Sequence, residues 1–183
     1  MKWQLLLCAL LLPEFAGCRR QASTPQGIEV YFSPRGGATE AVVNALTLAT
    51  NTVLVQAYSF TSAPIAEALV AAHRRGVSVR VILDHSQRTE KYSEADFLNH
   101  GDIPTSIDAQ HPIAHNKVMI LDDYLVVTGS FNFTKAAEEK NAENLLLVND
   151  PALARAYAEN WRAHEAHSEP YIRITPTPAR NYQ

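Results

Sequence analysis

The chain has 183 residues, a formal net charge of −3 and only two cysteines. That length suits one domain with a proper core, and the mild acidity excludes the global basic footprint of a nucleic-acid binder while leaving room for a local cationic phosphate pocket. Both cysteines, Cys8 and Cys18, fall within the first 18 residues, so the remainder has no internal disulfide, no thiol nucleophile and no thiolate metal site.

Residues 1–18 read as a leader. Lys2 gives a short positive region, and the apolar run 5–12, broken by Pro13, is too short to span a bilayer. Phe15-Ala16-Gly17-Cys18 resembles the lipoprotein cleavage box, in which the cysteine is lipidated. Phe15 stands where leucine is usual, so ordinary secretory cleavage nearby is an equal reading. Both predict a periplasmic or secreted protein, with membrane attachment only through a lipidated Cys18.

Residues 19–27 are polar and form a linker. Residues 28–32 predict a first strand, and Val42, Val43, Leu46 and Ala49 recur at helical spacing. Residues 53–57 are an apolar, β-branched run and read as a buried strand. Ser62 is placed to cap a helix with Pro64 in its first turn, which runs to about Arg75 and stops at Gly76. Residues 77–83 are the clearest strand. This β-α-β-α-β order predicts an α/β domain with a mixed, largely parallel sheet flanked by helices. A polar loop (86–91), a short helix (93–100) and an edge strand (104–107) follow. Residues 117–121 and 124–128 predict a hairpin turning at Asp122-Asp123. Residues 142–148 read as a buried strand. A last helix starts at Pro151 behind Asp150 and ends near His167. The domain is thus expected over 28–168, with an irregular tail over 169–183 and no internal repeat.

The chemistry lies in His115-x-Lys117, Asp122 and Gly129-Ser130-Phe131-Asn132. Cleaving a phosphodiester requires attack on phosphorus, neutralisation of the anionic oxygens and protonation of a poor leaving group. A neutral imidazole at His115 attacks well and forms a phosphoamide that water can open. Lys117, two residues on, shares a face with it if the segment is extended, and can bind a phosphate oxygen. Asn132 adds an amide donor, Ser130 can donate to phosphate or support His115, and Gly129 permits their close approach.

The pattern H-x-K-x4-D-x6-G-S-x-N is the signature of the phospholipase D superfamily, present here once. With Tyr58-Ser59-Phe60-Thr61, Phe133-Thr134-Lys135-Ala136-Ala137 and Asn141-x-Glu143-Asn144, the chain resembles the small EDTA-resistant bacterial endonucleases of that superfamily over about residues 28–161. The resemblance implies metal-independent cleavage of DNA, with RNA as a second polymer, and no cofactor. It implies that Glu143 hydrogen-bonds the nucleophilic His115, and that Asp122 is structural. A turn position at a hairpin tip agrees with the last point.

One imidazole cannot attack phosphorus and protonate the leaving oxygen in the same step. A chain with one motif therefore predicts a homodimer sharing its active site, with His115 of the second subunit as general acid. A phospholipid phosphodiesterase, of the phospholipase D or cardiolipin hydrolase type, is the competing enzyme. A nucleic-acid-binding lipoprotein with a vestigial site is the non-enzymatic one. Among the other histidines, His73, His85, His100, His164 and His167 read as surface or core residues. His111 and His115 at i, i+4 would suit zinc only on a helix, which Pro112 opposes, and no third ligand is evident. No metal ligand is expected. Tyr58 and Phe60 suit core packing at least as well as the site. Arg74 and Arg75 suit a helix end, and Glu138 to Lys140 a solvated loop.

Overall fold

The computed structural model describes residues 27–172. The expected leader, most of the linker and the tail beyond residue 172 lie outside the described residues. In order, the elements are β1 (Ile28–Phe32), α1 (Ala38–Leu48), β2 (Thr52–Ala57), α2 (Ala63–Arg74), β3 (Ser78–Asp84), a 3-10 turn (His85–Arg88), α3 (Ala95–His100), β4 (Thr105–Asp108), β5 (Lys117–Leu121), β6 (Leu125–Gly129), α4 (Lys135–Glu139), β7 (Asn144–Asn149), α5 (Pro151–Glu165) and β8 (Glu169–Pro170).

The strands form one sheet in the order β1-β7-β6-β5-β2-β3-β4-β8. The sheet is mixed, as expected, but it is not largely parallel. Only β2–β3 and β3–β4 pair in parallel; the other five pairings are antiparallel. The reason is topological. β1, β2, β3, β4 and β6 all run one way, so the crossovers read from the sequence have the right sense. The hairpin β5–β6 and the strand β7 are inserted between β1 and β2, and each insertion reverses a neighbour. The tail also departs from expectation. Glu169 pairs with Ile107 on β4, and Tyr171 is buried against the main core.

Alternation along the strands divides the core in two. Val53 and Val55, Val79 and Val81, Met119 and Leu121, and Val127 face α1 and α2, where Val42, Leu46, Ile65 and Leu69 complete the larger cluster. Leu54, Ile82, Val118, Ile120 and Val126 face the opposite side, where α5 lays down Ala154, Ala158 and Trp161. The Trp161 indole N–H donates to the Val55 carbonyl at 2.8 Å, fixing α5 over the middle of the sheet.

Capping follows chemistry that is partly visible in the sequence. Asp150 accepts from the amides of Ala152 and Leu153 at the start of α5, as its position suggests. Ser62 occupies the cap position of α2 but makes no side-chain cap bond. Arg75 serves a neighbour: its guanidinium donates to the carbonyls of Leu46 and Ala49 at the end of α1. Glu138 is not a solvated loop residue. Its carboxylate accepts from the amides of Gly37 and Thr39 at the start of α1, where negative charge complements the helix dipole.

Candidate active site

The site forms where β5 begins, beside the end of β6 and the start of β7. His115 precedes β5 and is exposed. Its segment is pinned on both sides. The Ala114 amide donates to the buried Asp84 carboxylate at 2.7 Å, and the Asn116 carbonyl accepts from the Tyr58 amide at 2.8 Å. The Tyr58 ring lies 4.5 Å from the His115 ring, centroid to centroid, at 50°. Tyr58 is therefore a wall of the site, while Phe60 is wholly buried in the core. The two stand i and i+2, which a regular strand would put on one face. The chain leaves strand geometry after Ala57, and Phe60 bridges to Phe133 in the core.

Lys117 is only 6% exposed. Its ammonium donates to the His115 carbonyl at 2.9 Å and lies 3.0 Å and 3.2 Å from Nδ1 and Nε2 of that ring. An approach in the ring plane between the two nitrogens is blocked by the carbon that joins them. Near-equality of these distances therefore places Nζ over the face, leaving the in-plane lone pair open for attack. Burial pulls the Lys117 pKa below its ordinary value, and the nearby charge of Glu143 opposes that shift.

The stretch after β6 is built by alternation. Phe131 and Phe133 are fully buried, and Phe133 packs edge-on against Phe60 at 5.9 Å. That turns Ser130 and Asn132 away from the core. Gly129 has φ 150°, and a Cβ there would collide with the Asn144 carbonyl oxygen. That oxygen accepts from the amides of Ser130 and Phe131. Only glycine lets β6 end this close to β7. The side-chain oxygen of Asn132 is buried without a hydrogen-bond partner. A buried side-chain amide with spare hydrogen-bonding capacity is suited to a ligand.

Glu143 departs from the expected arrangement. Its carboxylate accepts from the Ser130 hydroxyl at 2.6 Å and from the Asn141 side chain at 3.2 Å, and makes no bond to His115 within the chain. Ser130 also accepts from the Asn144 amide at 3.1 Å. Ser130 and Glu143 thus form one hydrogen-bonded unit that reaches Lys117 through its charge. His111 is equally distinct from His115. Its ring packs against His164 and His167.

Asp122 is structural, as expected. It and Asp123 both have positive φ at the tip of the β5–β6 hairpin. Its carboxylate accepts from the amides of Thr50, Asn51 and Thr52 and the Thr50 hydroxyl at 2.7–3.0 Å. Burial works against its charge, but these donors outweigh it and hold the pKa below the ordinary value. Asp122→Asn should cost about 2 kcal/mol of stability at neutral pH. A carboxylate with a depressed folded pKa stabilises above its unfolded value and loses that contribution as pH falls through the folded one. The melting-temperature gap between wild type and Asp122→Asn should therefore close below about pH 4. A gap independent of pH in thermal melts would contradict this.

Comparison with known proteins places these residues in a family. Residues 42–164 match the domain family described as cardiolipin synthase, PLD-like domain. A phospholipase D of Rickettsia conorii is 41% identical over 139 residues, covering 76% of this chain and 70% of that relative. The crystal structure of Nuc, a phospholipase D family member from Salmonella typhimurium, has a TM-score of 0.76 at 41% identity, covering 79% of this chain and 97% of that one. NucT from Helicobacter pylori shares the fold, with a TM-score of 0.73 at 24% identity, covering 79% and 98% respectively. The chain belongs to the phospholipase D superfamily. It is a phosphodiesterase of that superfamily, with His115 and Lys117 at the start of β5 and Asp122 at its far end.

Proposed function

We propose that this phosphodiesterase is a non-specific endonuclease that hydrolyses DNA, with RNA as a second polymer, outside the cytoplasm and without a catalytic metal. The observation that carries the chemistry is an exposed His115 whose in-plane lone pair is free, with a buried ammonium over its ring. The His115 nitrogen attacks phosphorus, the phosphorus–oxygen bond to the leaving group breaks, and the departing oxygen takes a proton. Water then attacks phosphorus in the phosphohistidine and gives its proton to the ring that protonated the leaving group. The phosphorus–nitrogen bond breaks, releasing the phosphate end and restoring the imidazole. Lys117 and Asn132 compensate charge on the phosphate oxygens. Contacts of this kind carry no base information, so little sequence preference is expected.

The proton for the leaving oxygen comes from His115 of a second subunit, whose ring must be protonated while the first is neutral. Two exposed apolar side chains support a homodimer built over the site. Ile113, two residues before His115, is 57% exposed, and Phe32, paired with Asn144 beside Glu143, is 65% exposed. A second copy would cover both. The apolar run behind Lys2 supports export to the periplasm or beyond, and Cys18 is the one residue through which a lipid could hold the protein at a membrane.

A nuclease is favoured by the likeness to Nuc, which this chain spans almost completely. The alternative, a phospholipid phosphodiesterase, is favoured by the Rickettsia relative named phospholipase D. Purified protein incubated with supercoiled plasmid and with phospholipid vesicles, both in excess EDTA, separates them. Nicked plasmid without release of phosphatidic acid is expected, with an initial rate within about twofold of that without chelator. Phosphatidic acid without nicking would reverse the assignment. Abolition of nicking by EDTA within a short assay would remove the metal-independent mechanism.

A further inference from the structure

We propose that Asp108, His111, His164 and His167 form a structural zinc site. It lies apart from the phosphodiesterase site and does not depend on that reading. Asp108 ends β4 and is completely buried. One of its oxygens, Oδ2, lies 2.8 Å from Nδ1 of His164, 3.0 Å from Nδ1 of His111 and 3.4 Å from Nε2 of His167. One candidate ligand atom from each of the four residues can be chosen so that all lie within 4.8 Å of one another. The three rings stand 5.0–5.3 Å apart, centroid to centroid.

This packing is poorly served by protons alone. Three neutral rings would have to crowd three N–H groups around one carboxylate. Its second oxygen, Oδ1, lies 3.1 Å from Nδ1 of His111 and already accepts from the Gln110 amide. Three charged rings would repel at their separation. The third contact shows the strain of that arrangement. His167 Nε2 is buried and, at 3.4 Å from the carboxylate, makes no hydrogen bond. A non-bonded nitrogen and oxygen at that separation are what two ligands of one ion show. Zinc–nitrogen bonds of about 2.0–2.1 Å in a tetrahedron put neighbouring ligand atoms about 3.3 Å apart. The 2.8 Å and 3.0 Å contacts of His164 and His111 are hydrogen-bond lengths that would open by a few tenths of an ångström as the ion replaces their protons. A divalent cation at the centre gives every inward-facing lone pair a partner. Three imidazoles and one carboxylate suit zinc by ligand type and by count.

The sequence spacing has the same form. Asp108-x-x-His111 and His164-x-x-His167 are two ligand pairs, each separated by two residues, one at a strand end and the other at a helix end. With four protein ligands the coordination sphere is closed, which makes the ion structural and not catalytic. It would tie the C-terminal end of α5 to the end of β4, joining residues separated by 56 positions in sequence. It would also hold the segment that runs from His111 to the nucleophile at His115. A domain without cysteines gains there the cross-link that a disulfide would otherwise supply. His111, 45% exposed at its side chain, borders a surface cavity lined also by His85, Ala109, Gln110 and Pro112, which gives an ion a way in.

The test uses the full chain with any affinity tag removed. Zinc is added, free metal is removed by gel filtration, and bound metal is counted by mass spectrometry. About one zinc per chain is expected, with a higher melting temperature than the chelator-stripped protein. Brief exposure to chelator should lower that temperature and leave the initial rate of phosphodiester cleavage. His111→Gln and His167→Gln, checked for folding by circular dichroism, should each weaken zinc binding by on the order of 100-fold. His73→Gln, away from the cluster, should leave it unchanged. Cobalt in place of zinc should give the intense visible bands of a tetrahedral site. If His167→Gln fails to fold, the half-exposed His111→Gln decides the matter. A folded wild type that retains no zinc, equal retention by the His111 and His167 variants, or the weak bands of six-coordinate cobalt would overturn the proposal.

Discussion

His115→Ala is expected to lower phosphodiester cleavage by about 10⁴- to 10⁶-fold, the loss typical when a covalent nucleophile is removed. Its melting temperature should stay within about 2 °C of wild type, because the side chain is exposed and surface substitutions cost little. The effect belongs in kcat, since Lys117 and Asn132 still bind the phosphate. Quenching wild-type turnover of a phosphate-labelled substrate should leave label on His115, and the variant should carry none. The shared site adds a second expectation. In wild-type and His115→Ala mixtures, a heterodimer has a nucleophile without a general acid, so added variant should depress activity more than dilution does. Depression by dilution alone would dismantle the proposed dimeric mechanism. Unchanged cleavage by His115→Ala would dismantle the nucleophile assignment itself.

Much of this arrangement is legible in the sequence, for identifiable reasons. The spacing of His115 and Lys117 puts the two side chains together because they flank the entry to β5, and adjacent residues on one chain need no knowledge of tertiary structure. Gly129 and Asp122 are legible because each answers a local backbone demand, a close strand approach in one case and a turn in the other. Sheet order was not legible. Whether β1 lies beside β2 depends on which strands insert between them, and nothing local to residues 28–57 encodes that. Glu143 illustrates the same limit. The resemblance placed it on His115, but within the chain its carboxylate is closer to the Ser130 hydroxyl, and a hydrogen bond of 2.6 Å forms there instead. The histidine cluster escaped for a third reason. In the sequence His111 stands beside His115, while in the fold its companions arrive from the end of α5. The repeated two-residue spacing was the available signal.

Lys117→Met separates function from stability. Cleavage should fall by about 10²- to 10³-fold, as when a preorganised charge-stabilising donor is lost. Stability should rise by about 1 kcal/mol, or about 2–4 °C in melting temperature. The ammonium is buried with no carboxylate bonded to it; its donor contacts are the His115 carbonyl and ring. Burial lowers its pKa, so the folded protein holds this proton less tightly than the unfolded chain does. Linkage then requires wild-type stability to rise as pH climbs from the folded pKa towards the ordinary lysine value, and to fall in the other direction. The advantage of Lys117→Met should accordingly be greatest near neutral pH and shrink on the alkaline side. Bound phosphate reverses the balance, because it supplies the missing anion. Inorganic phosphate should raise the melting temperature of wild type, and raise that of Lys117→Met much less. A variant that lost stability along with activity would show that Lys117 holds the fold together, and that its burial is not a cost borne for binding phosphate.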